Sequence, residues 1–480
     1  MDQFFRIQDL GAIAPELELV IMGMVLLIAD LLIKDKKKLG VFAIIGLGLS
    51  GVLLYRLTGI ETSAYGGVLV VDQFANFFKL IFLLGAALSI ALSLKYLDIE
   101  RENHGEYYAL ILFATMGMMF MAGAVDLVTL YIGLETMAIA TYVLVGFLRS
   151  NQRSNEASLK YFLLGAFSSG ILLYGMSLLY GIAGSTKFID IAEVLSRRPL
   201  SDPISLMAMI TLAAGIFFKI AGVPFHQWVP DAYEGAPTSI TAFMSVAVKA
   251  ASFAMMVRVF MVAIYPLRPQ WVPILAAVSI MTMTVGNIAA ITQSNVKRLL
   301  AYSSISHAGY ILLGIIAGNE TGMIAVGIYL LVYTFTNLGA WAVIVALRRR
   351  DVIGEHIDEM SGLFFKNPVA AVLMLIFLLS LAGIPPTAGF IGKYYLFAAA
   401  IQTGHNTLAV IAVLNAAISI YFYLRIVVAM FMREPTEKTG LVYSPGLLTV
   451  LAVAIIFTMV IGLYPDPFIT LARQAVILGF

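Results

Sequence analysis

The chain contains 480 residues, of which 61% are hydrophobic and 12% are charged, and its formal net charge is +2. Ordinary soluble domains are roughly 45–50% apolar and about 25% charged, so this composition excludes a soluble protein and favours one that lies in a lipid bilayer. The sequence contains no cysteine, which excludes disulfides, thiolate metal sites and iron–sulfur clusters in this chain.

Long apolar runs follow one another along the chain, separated by short polar joints. A helix needs roughly 20 apolar residues to cross the core of a bilayer, whereas a β-barrel would show segments of about 10 residues with alternating polarity. The runs therefore predict an all-α polytopic membrane protein with about 14 transmembrane helices. In chain order, the predicted spans 1 to 14 are 15–33, 39–58, 76–96, 107–124, 126–147, 156–183, 203–225, 238–264, 271–293, 299–318, 321–347, 368–400, 405–432 and 443–465.

The N-terminal segment and the basic joints predict the orientation. Residues Met1 to Pro15 lack a basic n-region ahead of an apolar stretch, so we expect no cleaved signal or transit peptide. With the N-terminus outside, the inner joints hold Lys34, Lys36, Lys37, Lys38, Lys95, Arg101, Arg149, Arg153, Lys160, Lys297, Arg298, Arg348, Arg349, Arg350, Lys366, Arg433 and Lys438. The outer joints hold only Arg56, Lys187, Arg197, Arg198 and Arg268. Because basic residues favour the cytoplasmic side, both termini are expected outside, and the basic joints are orientation signals rather than nucleic-acid sites.

Three short motifs recur at similar offsets and predict an internal repeat. The pairs are YVLVG at 142–146 with YILLG at 310–314, AGVP at 221–224 with AGIP at 382–385, and KAA at 249–251 with NAA at 415–417, followed by Arg258 and Arg425. They match span 5 with 10, 7 with 12 and 8 with 13. A unit of five spans, an odd number, inserts upside down relative to its copy, as in many transporters. We therefore expect three leading helices in 1–106, a first five-helix repeat in 107–264, an inverted second repeat in 271–432 and a final helix in 433–480.

Gly–Pro interruptions fall at matching points of the two halves. Gly222-Val223-Pro224 lies at the end of span 7, and GIPPTAG at 383–389 lies inside span 12. Proline removes a helix hydrogen bond and clashes with the preceding turn, and span 12 is too long for one straight crossing. We expect two half-helices in span 12, joined by an unwound segment that lines a polar cavity, the usual position of a transport site.

Two charged side chains lie in the middle of predicted spans. Glu135 and Lys249 are roughly 14 Å and 16 Å from the ends of spans 5 and 8, at about 1.5 Å per residue. A charge at this depth costs about 2.5–3.5 kcal/mol on insertion scales and usually has a function. Buried carboxylates and amines can exchange protons near neutral pH, so both residues are candidates for proton movement. The alternative is a static pair of Glu135 with a lysine that only fixes helix packing.

Three further titratable residues each have two interpretations. Lys219 lies near the inner end of span 7, where it either joins the relay or snorkels to the surface. Lys393 follows the break in span 12 and has either a functional or a supporting role. His307 in span 10 either bridges the two half-sites, because an imidazole titrates near neutral pH, or only packs between helices.

Several motifs together resemble one family of membrane proteins. They are GLE at 133–135, EASLKYF at 156–162, FK at 218–219, VPFHQWVPDAYEGAPT at 223–238, KRLLAYSSISH at 297–307 and GIPP at 383–386. The chain resembles, most strongly over residues 100–430, the antiporter-like membrane subunits of proton-pumping NADH:quinone oxidoreductase (respiratory complex I) and their relatives in multisubunit cation/proton antiporters. Lys393 and the absence of a lateral helix after the last span resemble the bacterial N-type subunit, whereas the M-type has a glutamate after the break and the L-type is longer.

The resemblance implies a role for each candidate residue. Glu135 would match the family's glutamate on span 5, Lys219 the lysine on span 7, Lys249 the central lysine on span 8 and Lys393 the terminal lysine of the outward half-channel. Together with His307 they would translocate protons, driven by quinone reduction elsewhere in the complex.

The resemblance also implies the surroundings of the chain. NADH, flavin, iron–sulfur clusters and quinone are expected on other subunits, with no cofactor and no metal bound by this chain. The expected partners are other membrane-arm subunits of complex I, the lipid of a bacterial cytoplasmic (inner) membrane, and protons, with no nucleic acid. Two alternatives stay open: a subunit of a cation/proton antiporter without redox chemistry, and a structural or assembly subunit without its own proton path.

Overall fold

The structure is a computed structural model that describes residues 7–348, 354–435 and 441–477, which are mostly helical. The first six residues, the inner-joint residues Arg349, Arg350 and Lys438, and the last three residues of the expected C-terminal unit lie outside the described residues.

Within the described ranges, helices occupy all fourteen predicted spans. Spans 1 to 7 are Ala14–Leu32, Lys36–Arg56, Gln73–Glu100, Gly105–Gly123, Leu127–Val145, Gln152–Ala183 and Pro203–Ile220. Spans 8 to 14 are Thr238–Ala263, Arg268–Ile291, Val296–Ala317, Glu320–Leu347, the pair Pro368–Ala382 and Ala388–Gln402, Asn406–Met432 and Pro445–Leu463. Of the described helices, 12 are long and apolar enough to cross a membrane; the other two positions are the broken span 12 and span 1, which carries three carboxylates. The predicted fold class, an all-α polytopic membrane protein, is confirmed.

Short polar residues in the joints begin these helices. The carboxylates of Asp72, Asp126 and Asp202 accept hydrogen bonds of 2.8 to 3.0 Å from backbone N–H groups in the first turns of spans 3, 5 and 7. Asn295 accepts a similar bond of 3.1 Å at the start of span 10. The first N–H groups of a helix have no partner within the helix, so these caps satisfy donors that would otherwise be left unpaired beside the apolar core.

The breaks in spans 7 and 12 follow from residues with left-handed backbone. Pro368–Ala382 ends at Gly383, which has a φ of 86°, and the second half-helix begins at Ala388. The predicted pair of half-helices in span 12 is therefore confirmed. Span 7 ends at Ile220, earlier than the predicted residue 225, because Ala221 has a φ of 65° and turns the chain out of the helix.

Several short elements in the joints were not predicted. They are a helix Ile7–Ala12, a hairpin of strands β1 (Thr62–Ala64) and β2 (Leu69–Val71), the helices Phe188–Ser196, Trp228–Gly235, Leu363–Lys366 and Asp466–Gln474, and the 3₁₀ turns Tyr265–Leu267 and Ile357–Met360. None of them contains a long apolar run, so hydropathy alone cannot detect them. They cover the two ends of the helix bundle.

Contacts between joints show that alternate joints share one end of the bundle. Backbone bridges connect Leu69 with Ala124 and Asp126 with Lys187. Leu69 and Lys187 lie in joints predicted to be outer, and Ala124 and Asp126 are the adjoining end residues of predicted spans 4 and 5. At the other end, Asn295 bridges His356, and both belong to joints predicted to be inner. The alternation of the spans agrees with these contacts, while the side of the membrane that each end faces remains a prediction.

Equivalent helix pairs of the two predicted repeats pack through equivalent atoms. A Cβ added to Gly117 in span 4 would lie 2.7 Å from the backbone nitrogen of Met137 in span 5. A Cβ added to Gly286 in span 9 would also lie 2.7 Å from the backbone nitrogen of Ser306 in span 10. Both residue pairs are related by the same offset, because 286 − 117 and 306 − 137 each equal 169. In both halves, glycine lets two helix backbones approach closely.

Two buried arginines add a second match between the halves. At the end of span 8, Arg258 donates to the carbonyl oxygen of Ala122 at 2.9 Å. Near the end of span 13, Arg425 donates to the carbonyl oxygen of Ile291. Each arginine thus binds the last turn of the first helix of its own unit. These contacts support the inverted repeat and its boundaries, which remain predictions.

Candidate functional site

The five predicted site residues lie on four spans of the bundle and the second half of broken span 12. Lys219, Lys249, His307 and Lys393 are buried, with 3–5% of their surface exposed, whereas Glu135 is half-buried. Lys219 is therefore not snorkelled to the surface. Trp228 of the following short helix covers this end of span 7 and donates its indole N–H to the carbonyl oxygen of Phe218 at 3.0 Å.

Glu135 and Lys219 form the first part of the site. Glu135 lies in the middle of span 5 and accepts a hydrogen bond of 2.5 Å from the hydroxyl of Ser169 in span 6. Lys219 Nζ lies 3.5 Å from the hydroxyl of Tyr142, which follows Glu135 on span 5 by about two helical turns. Glu135 and Lys219, both in the described part of the chain, do not form a salt bridge with each other. The roles of Glu135 and Lys219 remain predictions.

Lys249 lies at the centre of span 8, directly after the π-helical turn Met244–Val248. Such turns are rare and often occur at functional sites. Lys249 Nζ donates to both the hydroxyl and the carbonyl oxygen of Ser304 in span 10. It also lies 5.8 Å from the centre of the Tyr333 ring in span 11. The site of Lys249 therefore connects the first unit with the second.

His307 lies inside a group of four tyrosines. Its Nδ1 is 2.5 Å from the hydroxyl of Tyr329, and its Nε2 is 3.1 Å from the hydroxyl of Tyr423. Its ring centre is 5.1 Å from that of Tyr333 and 6.0 Å from that of Tyr310. Both ring nitrogens therefore have a phenol partner, and each phenol can donate one hydrogen bond and accept another.

Lys393 lies at the break of span 12. Its ammonium donates to the carbonyl oxygens of Leu381 at 3.0 Å and Ala382 at 2.7 Å, in the last turn of the first half-helix. The C-terminal end of a helix attracts a cation through its free carbonyl groups. A Cβ at Gly383 would lie 2.6 Å from Lys393 Cδ, so the glycine both turns the chain and leaves room for the lysine. Lys393 Nζ is also 5.0 Å from the centre of the Tyr310 ring.

Ring contacts therefore join Lys249, His307 and Lys393 into one buried line. Tyr333 contacts both Lys249 and His307, and Tyr310 contacts both His307 and Lys393. These tyrosines were not predicted from the sequence, because an aromatic residue inside an apolar run is usually a packing residue. A signal was present for Tyr310, which the predicted repeat pairs with Tyr142, the residue that contacts Lys219.

A cluster of ion pairs lies at the end of the bundle that is predicted to be inner. Arg298 pairs with Asp231 at 2.8 Å and with Glu234 at 3.0 Å, and Lys160 pairs with Asp231 at 3.0 Å. Burial alone would raise the pKa of Asp231, but hydrogen bonds and charges from Arg298 and Lys160 outweigh burial and hold this pKa below its ordinary value. The cluster fixes the short helix Trp228–Gly235 to spans 6 and 10.

Comparisons with known proteins agree with this fold. The model of the family described as "NADH:quinone oxidoreductase/Mrp antiporter, TM" matches residues 124–419. NADH-quinone oxidoreductase subunit N 2 of Solibacter usitatus is 53% identical over 484 residues, covering 98% of each chain. NADH-quinone oxidoreductase subunit N 1 of Koribacter versatilis is 57% identical over 424 residues, covering 87% of this chain and 83% of the relative. A chain of respiratory complex I from Thermus thermophilus with bound aureothin has a TM-score of 0.82 at 33% identity, covering 96% of this chain and 99% of that chain.

The fold is thus that of an antiporter-like membrane protein, and the chain belongs to the NADH:quinone oxidoreductase/Mrp antiporter family. Its relatives over nearly the full chain are named subunit N of NADH-quinone oxidoreductase. The resemblance to the N-type subunit that was predicted from the sequence is confirmed.

Proposed function

We propose that this chain is a proton-translocating membrane-arm subunit of an NADH:quinone oxidoreductase, and that Glu135, Lys219, Lys249, His307 and Lys393 form its proton relay. The observation that carries the proposal is the buried line in which Tyr333 and Tyr310 join Lys249, His307 and Lys393. A packing role alone does not require three titratable side chains in succession, each costly to bury.

The hydrogen bonds of the line fit proton transfer. Lysine gains and loses a proton at one nitrogen, whereas histidine can accept a proton at one ring nitrogen and release another from the opposite nitrogen. His307 has a phenol at both nitrogens, so a proton can arrive at one nitrogen and leave from the other. Lys393 then holds the proton beside the unwound segment of span 12, where freed backbone groups tolerate water.

Glu135 supplies the coupling in this proposal. It is half-buried and bonded to a serine, rather than locked in an ion pair with Lys219. A carboxylate that moves toward a lysine raises the proton affinity of that lysine, and moving away lowers it. Charge rearrangement driven by quinone reduction elsewhere in the complex would act on Glu135. Transfer of one proton against 100 mV costs about 2.3 kcal/mol, which a change of this kind is large enough to supply.

The proposal also covers the surroundings of the chain. Without cysteine, the chain offers no thiolate ligands for iron–sulfur clusters, so the clusters are assigned to other subunits. NADH, flavin and quinone are assigned to other subunits by the family resemblance. The partners of this chain are other membrane-arm subunits, including further antiporter-like ones. It lies in the bacterial inner membrane with both termini outside, as the basic inner joints indicate.

A second candidate function is a subunit of a cation/proton antiporter without redox chemistry. The family description, which includes the Mrp antiporter, favours it. The names of the full-length relatives favour the oxidoreductase. A purely structural subunit would have the same fold, but its buried lysines would be replaceable without loss of proton movement.

The proposal is tested by Lys393→Met in the assembled complex, with Lys95→Met as the matched control. Lys95 is an exposed lysine near the inner end of span 3. We expect Lys393→Met to abolish NADH-driven proton pumping in inverted membrane vesicles, while Lys95→Met pumps normally and a native gel shows both complexes intact. Normal pumping by Lys393→Met would support the structural subunit. Sodium-driven proton movement in membranes without the redox complex would support the antiporter.

A further inference from the structure

Within the described ranges, the ammonium of Lys393 is buried without a carboxylate partner. The helices packed around it include spans 10, 13 and 14, and neither these spans nor the two halves of span 12 contain an aspartate or a glutamate. The only acidic residue of span 11 is Glu320, which lies at the start of that span in an exposed ion pair. A buried cation without a counter-charge depends on the neutral dipoles and rings around it. For Lys393 these are two backbone carbonyl oxygens of the first half-helix and the face of the Tyr310 ring, 5.0 Å from Nζ.

The titratable side chains near Lys393 are one imidazole and several phenols. They are His307 and Tyr310 of span 10, Tyr329 and Tyr333 of span 11, and Tyr423 of span 13. Span 14 and the first half of span 12 contain no titratable residue. Phenols are neutral near pH 7, so Lys393 and His307 are the two of these groups that can change their charge in this range.

The face of the Tyr310 ring is turned to the lysine because the hydroxyl is held elsewhere. The hydroxyl lies 3.2 Å from Nδ2 of Asn287 in span 9. The same nitrogen lies 3.0 Å from the backbone carbonyl oxygen of Asn415 in span 13. A backbone carbonyl can only accept a hydrogen bond, so this end of the Asn287 side chain is its donating NH₂ group. The phenol oxygen of Tyr310 therefore accepts a hydrogen bond from Asn287.

Asn415 fixes the side chain of Asn287 in turn. Its Oδ1 accepts from Asn287 Nδ2 at 3.3 Å, and its own Nδ2 donates to the carbonyl oxygen of Ile411 at 3.0 Å and to the hydroxyl of Thr284 at 3.3 Å. Asn287 and Asn415 are 0% and 4% exposed. The two amides thus connect spans 9 and 13, and through Asn287 they anchor the tyrosine of span 10.

A packing role alone does not require an amide at this position. Asn287 Oδ1 has no hydrogen-bond partner among the described residues, and an unpaired buried acceptor is unfavourable. Because 287 − 118 is the offset of 169 found for the glycines of spans 4 and 9, Met118 occupies the matching position of the first unit. There the hydroxyl of Tyr142 lies 3.5 Å from Lys219 Nζ. Where methionine stands in place of the amide, the tyrosine hydroxyl is beside its lysine.

We infer that Asn287 is a positioning residue of the proposed relay, which holds the Tyr310 hydroxyl away from Lys393 so that the ring face stabilises the ammonium. The inference rests on the proposed function and adds a residue that determines how firmly Lys393 holds its proton. An ammonium over an aromatic face is attracted by the negative charge of that face. A ring face cannot exchange a proton, so the proton on Lys393 does not return to Tyr310.

The route from His307 to Lys393 does not need the Tyr310 hydroxyl. A cavity of about 10 Å³, about the size of one water, is lined by His307, Tyr329, Ser380 and Leu381. The carbonyl oxygen of Leu381 binds Lys393 at 3.0 Å. Tyr329 gives its proton to a water in this cavity and takes one from His307, while the water passes one to the neutral amine of Lys393. One proton leaves the imidazole and one arrives at the lysine.

Asn287→Met tests the inference because it gives span 9 the residue that the first unit has. We expect the assembled Asn287→Met complex to pump about tenfold more slowly with NADH. The pH at which pumping is half-maximal should also fall, because the ammonium of Lys393 loses the ring. Tyr310→Phe removes only the hydroxyl and should have the same two effects. The double variant should pump no more slowly than either single variant, because both changes remove the same hydrogen bond.

The matched control is Asn76→Met in span 3. Asn76 is also a buried amide, which donates to the carbonyl oxygen of Leu57 at 3.1 Å, and its Oδ1 has no partner in the described part of the chain. Asn76→Met should therefore disturb packing to a similar extent while pumping and its pH profile stay normal. A native gel shows assembly for every variant.

Wild-type pumping with an unchanged pH profile in Tyr310→Phe would overturn the inference, and this variant decides if Asn287→Met does not assemble. Slower pumping by Asn287→Met with an unchanged pH profile, or equal slowing by Asn76→Met, would also overturn it and make Asn287 a packing residue. Lys249→Met, measured in parallel, tests the relay itself. Loss of pumping in Lys249→Met together with normal pumping in Tyr310→Phe refutes only the role of Asn287, whereas normal pumping in Lys249→Met refutes the proposed function.

Discussion

Lys249→Met is expected to leave the complex assembled while it stops proton pumping. Lys249 Nζ makes two hydrogen bonds to Ser304, and bonds to a charged group contribute about 1.5–3 kcal/mol each. Their loss is offset because an unneeded charge no longer has to be buried, which costs about 2.5–3.5 kcal/mol on insertion scales. Two such bonds contribute about 3–6 kcal/mol, so the net loss of about −0.5 to 3.5 kcal/mol is below the usual stability of about 5–15 kcal/mol.

The effect on pumping should be much larger than the effect on stability. Lys249 is the buried amine through which the first unit contacts Tyr333 and the line to His307. A positioned proton-transfer group contributes about 100-fold or more to a rate, so we expect NADH-driven pumping to fall by at least about 100-fold. The assay is quenching of a pH-sensitive dye in inverted vesicles, with a native gel to check assembly.

Lys249→Arg is the matched control for charge. It keeps a positive charge near Ser304 but cannot release a proton, and it should therefore fail to pump as Lys249→Met does. Pumping at the wild-type rate by either variant in an assembled complex would refute the reasoning, because Lys249 would then be a packing residue.

Three further predictions follow from the packing and the charges. His307→Ala should slow pumping by about 100-fold in an assembled complex, and dye quenching at the wild-type rate would count against a relay through the imidazole. Gly117→Ala should destabilise the complex by about 1–3 kcal/mol, because the added Cβ overlaps the backbone of span 5. Gly48→Ala is the control and should not destabilise it, because nothing lies within 4 Å of the added Cβ. Equal melting temperatures of the two variants in detergent would contradict this prediction. Asp231→Asn should lower the melting temperature of the protein at neutral pH. The difference in melting temperature from wild type should fade as pH falls below 3.8 toward the lowered pKa of Asp231, because the wild-type carboxylate paired with Arg298 is then protonated in the folded and the unfolded state. A difference that persists in melting curves at acid pH would refute the ion-pair explanation.

Hydropathy was sufficient to predict the fold because the bilayer constrains it strongly. A crossing segment must be helical and apolar, so run lengths alone gave the order of the fourteen spans. The break of span 12 was also predictable, since Gly383 and the two prolines after it cannot continue a helix. The end of span 7 was predicted too late because Ala221, an ordinary helix former, adopts a left-handed backbone. Only the tertiary structure determines such a conformation.

The candidate site was predictable where a charge lies in an apolar run, as for Glu135 and Lys249. Their partners were not predictable, because serine and tyrosine inside a helix have no distinct pattern until helices distant in sequence pack together. Lys79 shows the same limit for a charge. It lies near the start of span 3, where a lysine usually snorkels, and only the contact with Glu16 of span 1 shows that it is buried.

The central claim, that this chain itself moves protons in a redox-driven complex, is tested most directly by Glu135→Ala. The measurement is NADH-driven proton pumping and quinone reduction in inverted vesicles, with a native gel to show the assembled complex. The account predicts that both activities are lost while assembly is intact, because Glu135 couples the relay to quinone reduction. Wild-type pumping by the assembled Glu135→Ala complex would contradict the account and leave this chain a scaffold.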